Sequence, residues 1–372
     1  MSLAQAARVG DTVSAIDTPA LVIDLDAMER NIQRMAEFAH THGMRLRPHA
    51  KTHKSAAIAR LQMAAGAVGV CVQKLSEAQA LAEAGVNDIY ISNEVIDPAK
   101  LGALAALAGR VRLALAVDSS LGVDRLALAL KAAGTMVDVF VEVDVGHGRC
   151  GVAPTAAVGI AHQVVSHGLS FAGLQAYHGR AQHLRTPAER ETAIRHAVGL
   201  ARAAQAAITS AGIACPLVTG AGTGTFMLEA ASGLYGELQS GSYVFMDRDY
   251  ADNHGAPHAP AFEHALFVKS QVMSAGTSHV VVDAGHKSHA IDSGLPRVRG
   301  LDLEFVNGGD EHGILRRRAA DALPSLGDTV WLIPGHCDPT VNLHDRLIGV
   351  RGGLEHGVVE HVIRVDARGA VT

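Results

Sequence analysis

Lys51 stands in the segment Arg47-Pro-His49-Ala-Lys51-Thr-His53-Lys54, with two histidines and a second lysine around it. Neighbouring cations make an amine easier to deprotonate, and a free amine attacks carbonyls, so the segment suits Schiff-base chemistry. A solvated basic turn is the plain alternative. Pro334-Gly-His336-Cys337-Asp338-Pro-Thr340 sets a histidine and a carboxylate two residues apart. In an extended segment these two point the same way and Cys337 points to the other side, where it would pack as a small hydrophobe. A histidine and a carboxylate completed by water suit Mn²⁺ or Mg²⁺ better than a closed zinc site. A hydrogen-bonded turn would use the same spacing.

Two glycine-containing segments offer anion sites. Thr219-Gly-Ala-Gly222-Thr223-Gly224-Thr225 follows an apolar run and precedes a helical stretch. Its backbone can approach a phosphate closely and present N–H groups to it. No Lys-Ser/Thr follows, which excludes a Walker loop. Gly241-Ser242-Tyr243, at the end of the next apolar run, supplies further donors. A third segment, Gly146-His-Gly148-Arg149-Cys-Gly151, fits the dinucleotide fingerprint. The strand after it ends Leu174-Gln-Ala-Tyr177-His178, without the acidic residue that fingerprint requires. The dinucleotide reading is set aside, and Arg149 becomes the residue of interest. His183, in the loop after Tyr177, is a candidate general base because histidine titrates nearest neutrality. An exposed loop histidine is the alternative.

The elements that position these residues follow from periodicity. Apolar runs at 20–25, 44–49, 68–73, 88–92, 112–117, 137–144, 170–177, 216–220 and 237–245 read as strands buried on both faces. Helix signals lie between them. Asp26-Ala-Met-Glu29 has the spacing of a capping box, and Thr186-Pro-Ala-Glu189 opens the longest helix. This alternation predicts an α/β chain, either a (β/α)8 barrel or a doubly wound sheet. Nine strands are one too many for the barrel. If the first lies elsewhere, the two glycine loops follow barrel strands seven and eight, where barrels commonly bind phosphate. Lys51, Arg149 and His183 then all lie at strand C-terminal ends, the catalytic face. After Tyr250 the texture becomes short β-like runs between turns, which predicts a mainly antiparallel β domain over 251–372 after a barrel over 18–250.

Composition narrows the function classes. A net charge of −5 without a basic run gives no footprint for nucleic acid. No stretch approaches the roughly 18 uninterrupted apolar residues of a membrane span. The four cysteines are far apart in sequence, which suggests reduced thiols. The first residues lack a basic stretch followed by an apolar core. A cytoplasmic protein is expected.

A lysine after the first barrel strand, an arginine mid-barrel and phosphate loops after the last two strands resemble the alanine-racemase-like enzymes that use pyridoxal 5'-phosphate. Asp17-Thr-Pro-Ala20, Cys71-Val-Gln73-Lys74-Leu-Ser-Glu77, Ile91-Ser-Asn-Glu94, Val141-Glu-Val-Asp144 and Asp310-Glu-His-Gly313 join the segments above. As a set they resemble the D-threonine aldolases and the related 3-hydroxyaspartate aldolases, from about Asp17 onward. The resemblance implies that the first strand joins the β domain and that Lys51 carries the cofactor. It implies that Gln73, Arg149, Tyr177, Thr223 and Ser242 surround the cofactor, with Arg149 against the pyridine nitrogen and the backbone of Gly222, Gly224, Gly241 and Tyr243 contributing. His336 and Asp338 would hold a divalent metal, and His183 would act on the substrate hydroxyl. The implied reaction is retro-aldol cleavage of a small 3-hydroxy-D-amino acid to glycine and an aldehyde, in a homodimer.

Dehydration to a 2-keto acid and ammonia, racemisation, and a non-catalytic pyridoxal-phosphate homeostasis role are the alternatives. The related D-serine-type dehydratases carry cysteine and zinc where this chain has Asp338, which favours the aldolase. The homeostasis proteins lack a β domain and a metal motif. The chain departs from the family pattern at Ala221, where glycine is expected, and at His286. Arg180 or Arg297 would serve a substrate that bears a carboxylate side chain.

Overall fold

The computed structural model describes residues 6–256, 259–318 and 321–372. After β1 (Ala20–Asp24), eight short strands follow in parallel. They are β2 (Arg45–Leu46), β3 (Val70–Val72), β4 (Asp88–Ile91), β5 (Arg112–Val117), β6 (Asp138–Glu142), β7 (Ser170–Ala176), β8 (Val218–Gly220) and β9 (Glu237–Leu238). Their order is β2-β9-β8-β7-β6-β5-β4-β3. The two ends meet, since the Val68 and Cys71 amides donate to Leu46 and Pro48 carbonyls at 2.8 Å each, and Ala50 donates to Cys71 at 2.8 Å. The sheet is therefore a closed barrel and not a doubly wound sheet.

The barrel interior is filled from two directions. Tyr90 and Phe140, with ring centroids 4.8 Å apart, pack with Cys71, Ala114 and Ala116. From Tyr90 runs a polar ladder, in which Tyr90 donates to Gln175 at 3.0 Å, Gln239 to Thr219 at 2.8 Å, and Thr219 to Glu237 at 2.9 Å. Arg47 closes it, bridging Glu237 at 3.3 Å and Asp88 at 2.5 Å. Burial opposes the Arg47 charge, but Glu237 and Asp88 outweigh it and raise the guanidinium pKa. The first residue of the Lys51 segment thus belongs to the barrel floor, not to the catalytic face.

A register shift separates β6 from β7 beside Gly173, whose φ is 138°. A Cβ there would run into the Leu217 carbonyl of the next strand. Gly173→Ala is expected to destabilise the protein by about 2 kcal/mol or more, because neither backbone can give way. A urea midpoint unchanged from wild type would contradict this.

The β domain contains β10 (Leu266–Ala275), β11 (His279–Val282), β12 (Arg297–Val298), β13 (Leu303–Asn307), β14 (Gly313–Arg317), β15 (Thr329–Ile333), β16 (Arg346–Arg351) and β17 (Val358–Arg364). Their order is β13-β14-β11-β10-β1-β16-β17, with β15 on β10 and β12 on β15. β1 pairs antiparallel with β10 and parallel with β16, which accounts for the ninth strand. β12 and β14 were not expected from the sequence.

α1 (Leu25–Thr41) leads from β1 back to the barrel and buries Ile32, Met35 and Phe38 in a core shared with β-domain strands and Phe226. Its cap is Asp24, which accepts the Ala27 N–H at 3.1 Å, and not Asp26. Asp26 is drawn instead to Arg351 at 2.9 Å, a partner too distant in sequence to anticipate. The Thr186/Glu189 capping box is present and opens α2 (Pro187–Ser210). Among the described residues, no helix is long and apolar enough to cross a membrane.

Candidate active site

A cavity of about 150 Å³ opens at the C-terminal ends of the barrel strands. Lys51 reaches it from the turn after β2, Gln73 from β3, Arg149 from β6 and Tyr177 from β7. Gly222 and Thr223 reach it after β8, and Gly241 and Ser242 after β9. Strand direction thus gathers onto one face residues that are up to 191 positions apart in sequence (51 to 242).

The Lys51 side chain is partly exposed along the cavity, and its amine donates to Asp338 Oδ2 at 2.5 Å. Burial would lower its pKa, but the Asp338 carboxylate outweighs burial and raises it. The expected depression by neighbouring cations does not occur. His49 is kept neutral by burial and by Lys51, and accepts from Gln73 Nε2 at 2.9 Å. His53 is pushed down to about 4 by burial and bonds to Gln62 at 3.2 Å. Lys54 points away from the cavity. None of the three places a cation beside the amine.

Arg149 lies over the Tyr177 ring, 5.7 Å from its centroid, a cation–π contact that holds it at the cavity wall. Its Nη2 is 4.0 Å from Glu142 Oε1. Burial, then the neighbouring Glu94, pushes the Glu142 carboxyl above the usual carboxylate range, which weakens its hold on the Arg149 charge.

The two glycine loops form the opposite wall. A Cβ on Gly241 would sit 2.8 Å from the His49 carbonyl, so only glycine fits there, and one on Gly222 would sit 2.5 Å from the Gln182 side chain, which would have to move. Ala221, where glycine was expected, has φ 72° in the left-handed region. Gly224 and Tyr243 do not line the cavity. Gly224 N–H donates to Gln182 Oε1 and Tyr243 N–H to the hydroxyl of the cavity-lining Thr223, both at 3.0 Å. The Tyr243 side chain is fully buried and accepts from Gln62. Tyr250, which sequence reasoning did not single out, lines the cavity instead.

His183 lies beside the cavity, its ring 5.6 Å from that of Tyr250. Its Nδ1 bonds to Asp249 Oδ2 at 2.5 Å. Burial opposes the Asp249 charge, but hydrogen bonds from His183 and Arg185 bring its pKa down to about 2. Asp249 thus engages the ring through Nδ1 and leaves Nε2 as the nitrogen that can face a substrate.

His336 and Asp338 converge, though not as an extended pair. His336 caps the short helix Cys337–Val341, and Asp338 is its second residue. Helical turning brings His336 Nε2 within 3.9 Å of Asp338 Oδ2 and buries Cys337 in the core. Asp292 takes His336 Nδ1 at 2.7 Å and directs Nε2 toward Asp338. Asp338 Oδ1 is buried without a hydrogen-bond partner, a cost that a cation would relieve. Among the described residues, no third His, Cys, Asp or Glu completes a closed metal site. The pair therefore suits a hard divalent ion that keeps other coordination places for water or substrate oxygen. For pyridoxal phosphate the fit is equally direct, with one lysine, a guanidinium and two glycine turns around one cavity.

Residues 23–249 match the family described as alanine racemase, N-terminal domain, and residues 265–350 match the putative serine dehydratase domain. A D-threonine aldolase of Arthrobacter sp. is 45% identical, covering 99% of this chain and 97% of its own. A 3-hydroxy-D-aspartate aldolase of Paracoccus denitrificans (strain Pd 1222) is 43% identical over 96% of this chain and 93% of its own. The crystal structure of a D-threonine aldolase from Filomicrobium marinum superposes with a TM-score of 0.96 at 47% identity, covering 99% of this chain and 100% of that one. Fold, domain order and full-length similarity agree: the chain belongs to the D-threonine aldolase and 3-hydroxyaspartate aldolase family of alanine-racemase-like, pyridoxal-phosphate-dependent carbon–carbon lyases.

Proposed function

We propose that the chain cleaves 3-hydroxy-D-amino acids to glycine and an aldehyde, with pyridoxal phosphate on Lys51 and Mn²⁺ or Mg²⁺ on His336 and Asp338. The observation that carries this reading is that Asp338 belongs to both centres, touching the Lys51 amine and facing His336 Nε2. A substrate amine brought to Lys51 is then within reach of the metal pair, as bond cleavage next to a β-hydroxyl requires. When bound, the cofactor supplies an electron sink for the pair released at Cα, and the metal supplies a Lewis acid for the hydroxyl.

The protein's own residues do the rest. His183 Nε2 takes the hydroxyl proton, while Asp249 holds the ring and stabilises its charge. Loss of that proton turns the C–O pair into the new carbonyl and breaks Cα–Cβ, leaving an aldehyde and, after protonation at Cα, glycine. Arg149 would bear on the cofactor ring, Gly222, Thr223, Gly241 and Ser242 would hold its phosphate, and Gln73 and Tyr177 would frame it. Elimination would need the hydroxyl to leave with its electrons. A base at the hydroxyl and a hard carboxylate at Asp338 favour deprotonation instead. Asp249→Asn is expected to lower kcat about 100-fold with little change in KM, since an amide no longer enforces the Nδ1 proton. An unaltered kcat would remove His183 from the role of base.

Arg297 is already paired with Asp252 at 2.6 Å, so Arg180, in the same short turn as His183, is the cation available to a carboxylate side chain. The described cysteines are free thiols, which supports a reducing compartment, the cytoplasm, and the family resemblance supports a homodimer. The test is to offer D-threonine, D-phenylserine, D-3-hydroxyaspartate and L-threonine separately to the holoenzyme with Mn²⁺. Glycine with the matching aldehyde from the D-isomers is expected. Ammonia with a 2-keto acid would make the protein a dehydratase, D/L exchange a racemase, and no turnover at all a cofactor-binding protein.

A further inference from the structure

Lys54 has no part in the chemistry above, yet its surroundings are specific. It is buried, 7% exposed, and its φ of 49° is unusual for a residue with a side chain. Its ammonium group is directed away from the cavity toward Glu77 Oε1 at 3.1 Å, the Ala370 carbonyl at 3.1 Å and the Ala367 carbonyl at 3.3 Å. Its backbone continues the same ties, since Lys54 N–H donates to Ala50 at 2.7 Å and the Lys54 carbonyl accepts from Ala367 N–H at 3.0 Å. The other oxygen of Glu77 accepts the amides of Gln73 at 2.9 Å and Lys74 at 3.1 Å.

One ammonium group therefore joins three segments: the turn that carries Lys51, the turn that carries Gln73, and residues 366–372. That last segment reaches further. Gly369 N–H donates to Asn342 Oδ1 at 2.9 Å, and Asn342 N–H closes the helix that carries Asp338 by donating to the Asp338 carbonyl at 3.3 Å. At its other end Thr372 bonds to Ser76, beside Glu77. The connection runs from the metal helix through residues 366–372 to Lys54, and from there to both cofactor turns.

We propose that Lys54 is a positioning residue, which sets the Lys51 and Gln73 turns against the Asp338 helix through residues 366–372 and touches neither substrate nor cofactor. The left-handed backbone is what lets it do so. It turns the Lys54 side chain outward while Lys51, three residues earlier, faces the cavity. Removing the ammonium leaves Glu77 as a buried carboxylate without its counter-ion, and the cofactor and metal halves of the site lose their common anchor.

The proposal rests on the assignment of Lys51 and Asp338 above. Wild-type turnover with Mn²⁺ tests that assignment by itself, before any variant is compared. Lys54→Met/Glu77→Gln removes both charges together and avoids a buried unpaired carboxylate. Expected is a folded holoprotein with kcat about 10- to 100-fold lower, since small misplacements of reacting groups have effects of that size. KM should change less than about threefold, and half-activation should need about tenfold more Mn²⁺. Lys54→Arg, which keeps the charge, should recover most of the rate. A folded double variant with kcat and Mn²⁺ requirement within about twofold of wild type would overturn the proposal, as would a rate loss equal to the loss of folded protein. If the double variant does not fold, hydrogen exchange on the wild-type holoenzyme decides. Protection of the Ala367 and Gln73 amides comparable to the barrel strands is expected, and rapid exchange at either would refute the anchoring.

Discussion

Lys51→Ala is expected to give a folded protein whose remaining cofactor is no longer fixed to the chain by borohydride and whose cleavage rate is lower by at least about three orders of magnitude. The cavity offers pyridoxal phosphate a guanidinium and two glycine turns, which hold it by non-covalent contacts alone. The substitution should therefore weaken cofactor retention without abolishing it. The amine itself has no substitute nearby. Lys54 is committed to Glu77 and to the carbonyls of Ala367 and Ala370, and His49 is a buried neutral ring. Borohydride reduction of the wild-type holoenzyme should fix the label on the peptide that contains Lys51. A label on Lys54 or Lys74 would contradict the assignment, and so would a Lys51→Ala variant that keeps a tenth of wild-type activity.

Asp338→Asn should have an effect of similar size for a different reason. The carboxylate is buried, and although burial opposes its charge, Lys51 and His336 hold its pKa well below the usual carboxylate range. An amide of the same shape loses the ion pair with Lys51 and one anionic metal ligand together. Activity is expected to fall at least about 100-fold and to stop responding to added Mn²⁺, while the cofactor stays bound. His336→Ala should also abolish the metal response but leave the Lys51 ion pair intact, so the two variants should differ in the pH at which the free lysine titrates, with a lower value in Asp338→Asn. His336 itself is held above its ordinary pKa. Burial opposes the imidazolium, but Asp338, then Asp292, outweigh it. Protons therefore compete with metal at His336 from higher pH than for an ordinary histidine, and the Mn²⁺ needed for half-activation should rise as pH falls. A metal requirement independent of pH would argue against His336 as a ligand.

The parts of this site that were legible in the sequence are those fixed by local rules. A continuous apolar run ends in a turn at the same end of every parallel strand, so Lys51, Arg149, Tyr177 and the two glycine loops could be placed on one face before any coordinates. The surplus strand could be counted, though its membership of the β domain came from resemblance and its place between β10 and β16 only from the structure. What was not legible depends on contacts between distant segments. Asp249 orients His183 from 66 residues away, and Asp292 orients His336 from 44 residues away. Neither sits in a motif. The charge around Lys51 was misread for the same reason, because sequence proximity displays His49, His53 and Lys54 but not Asp338. Gly224 and Tyr243 lie in the right loops, yet the direction of a single amide depends on Gln182 and Thr223 side chains that spacing does not reveal. The HxD pair was found by spacing, although the backbone that makes it converge is a helix N-terminus and not a strand.

The most direct measurement of the whole account is a single-pot experiment on holoenzyme freed of metal with EDTA and then given D-threonine. No cleavage should occur until Mn²⁺ is added in excess, after which glycine and acetaldehyde should appear in equal amounts and no 2-ketobutyrate should form. Cleavage at the full rate before the addition would contradict the metal role of His336 and Asp338. Ammonia and 2-ketobutyrate after it would contradict the aldolase reading itself.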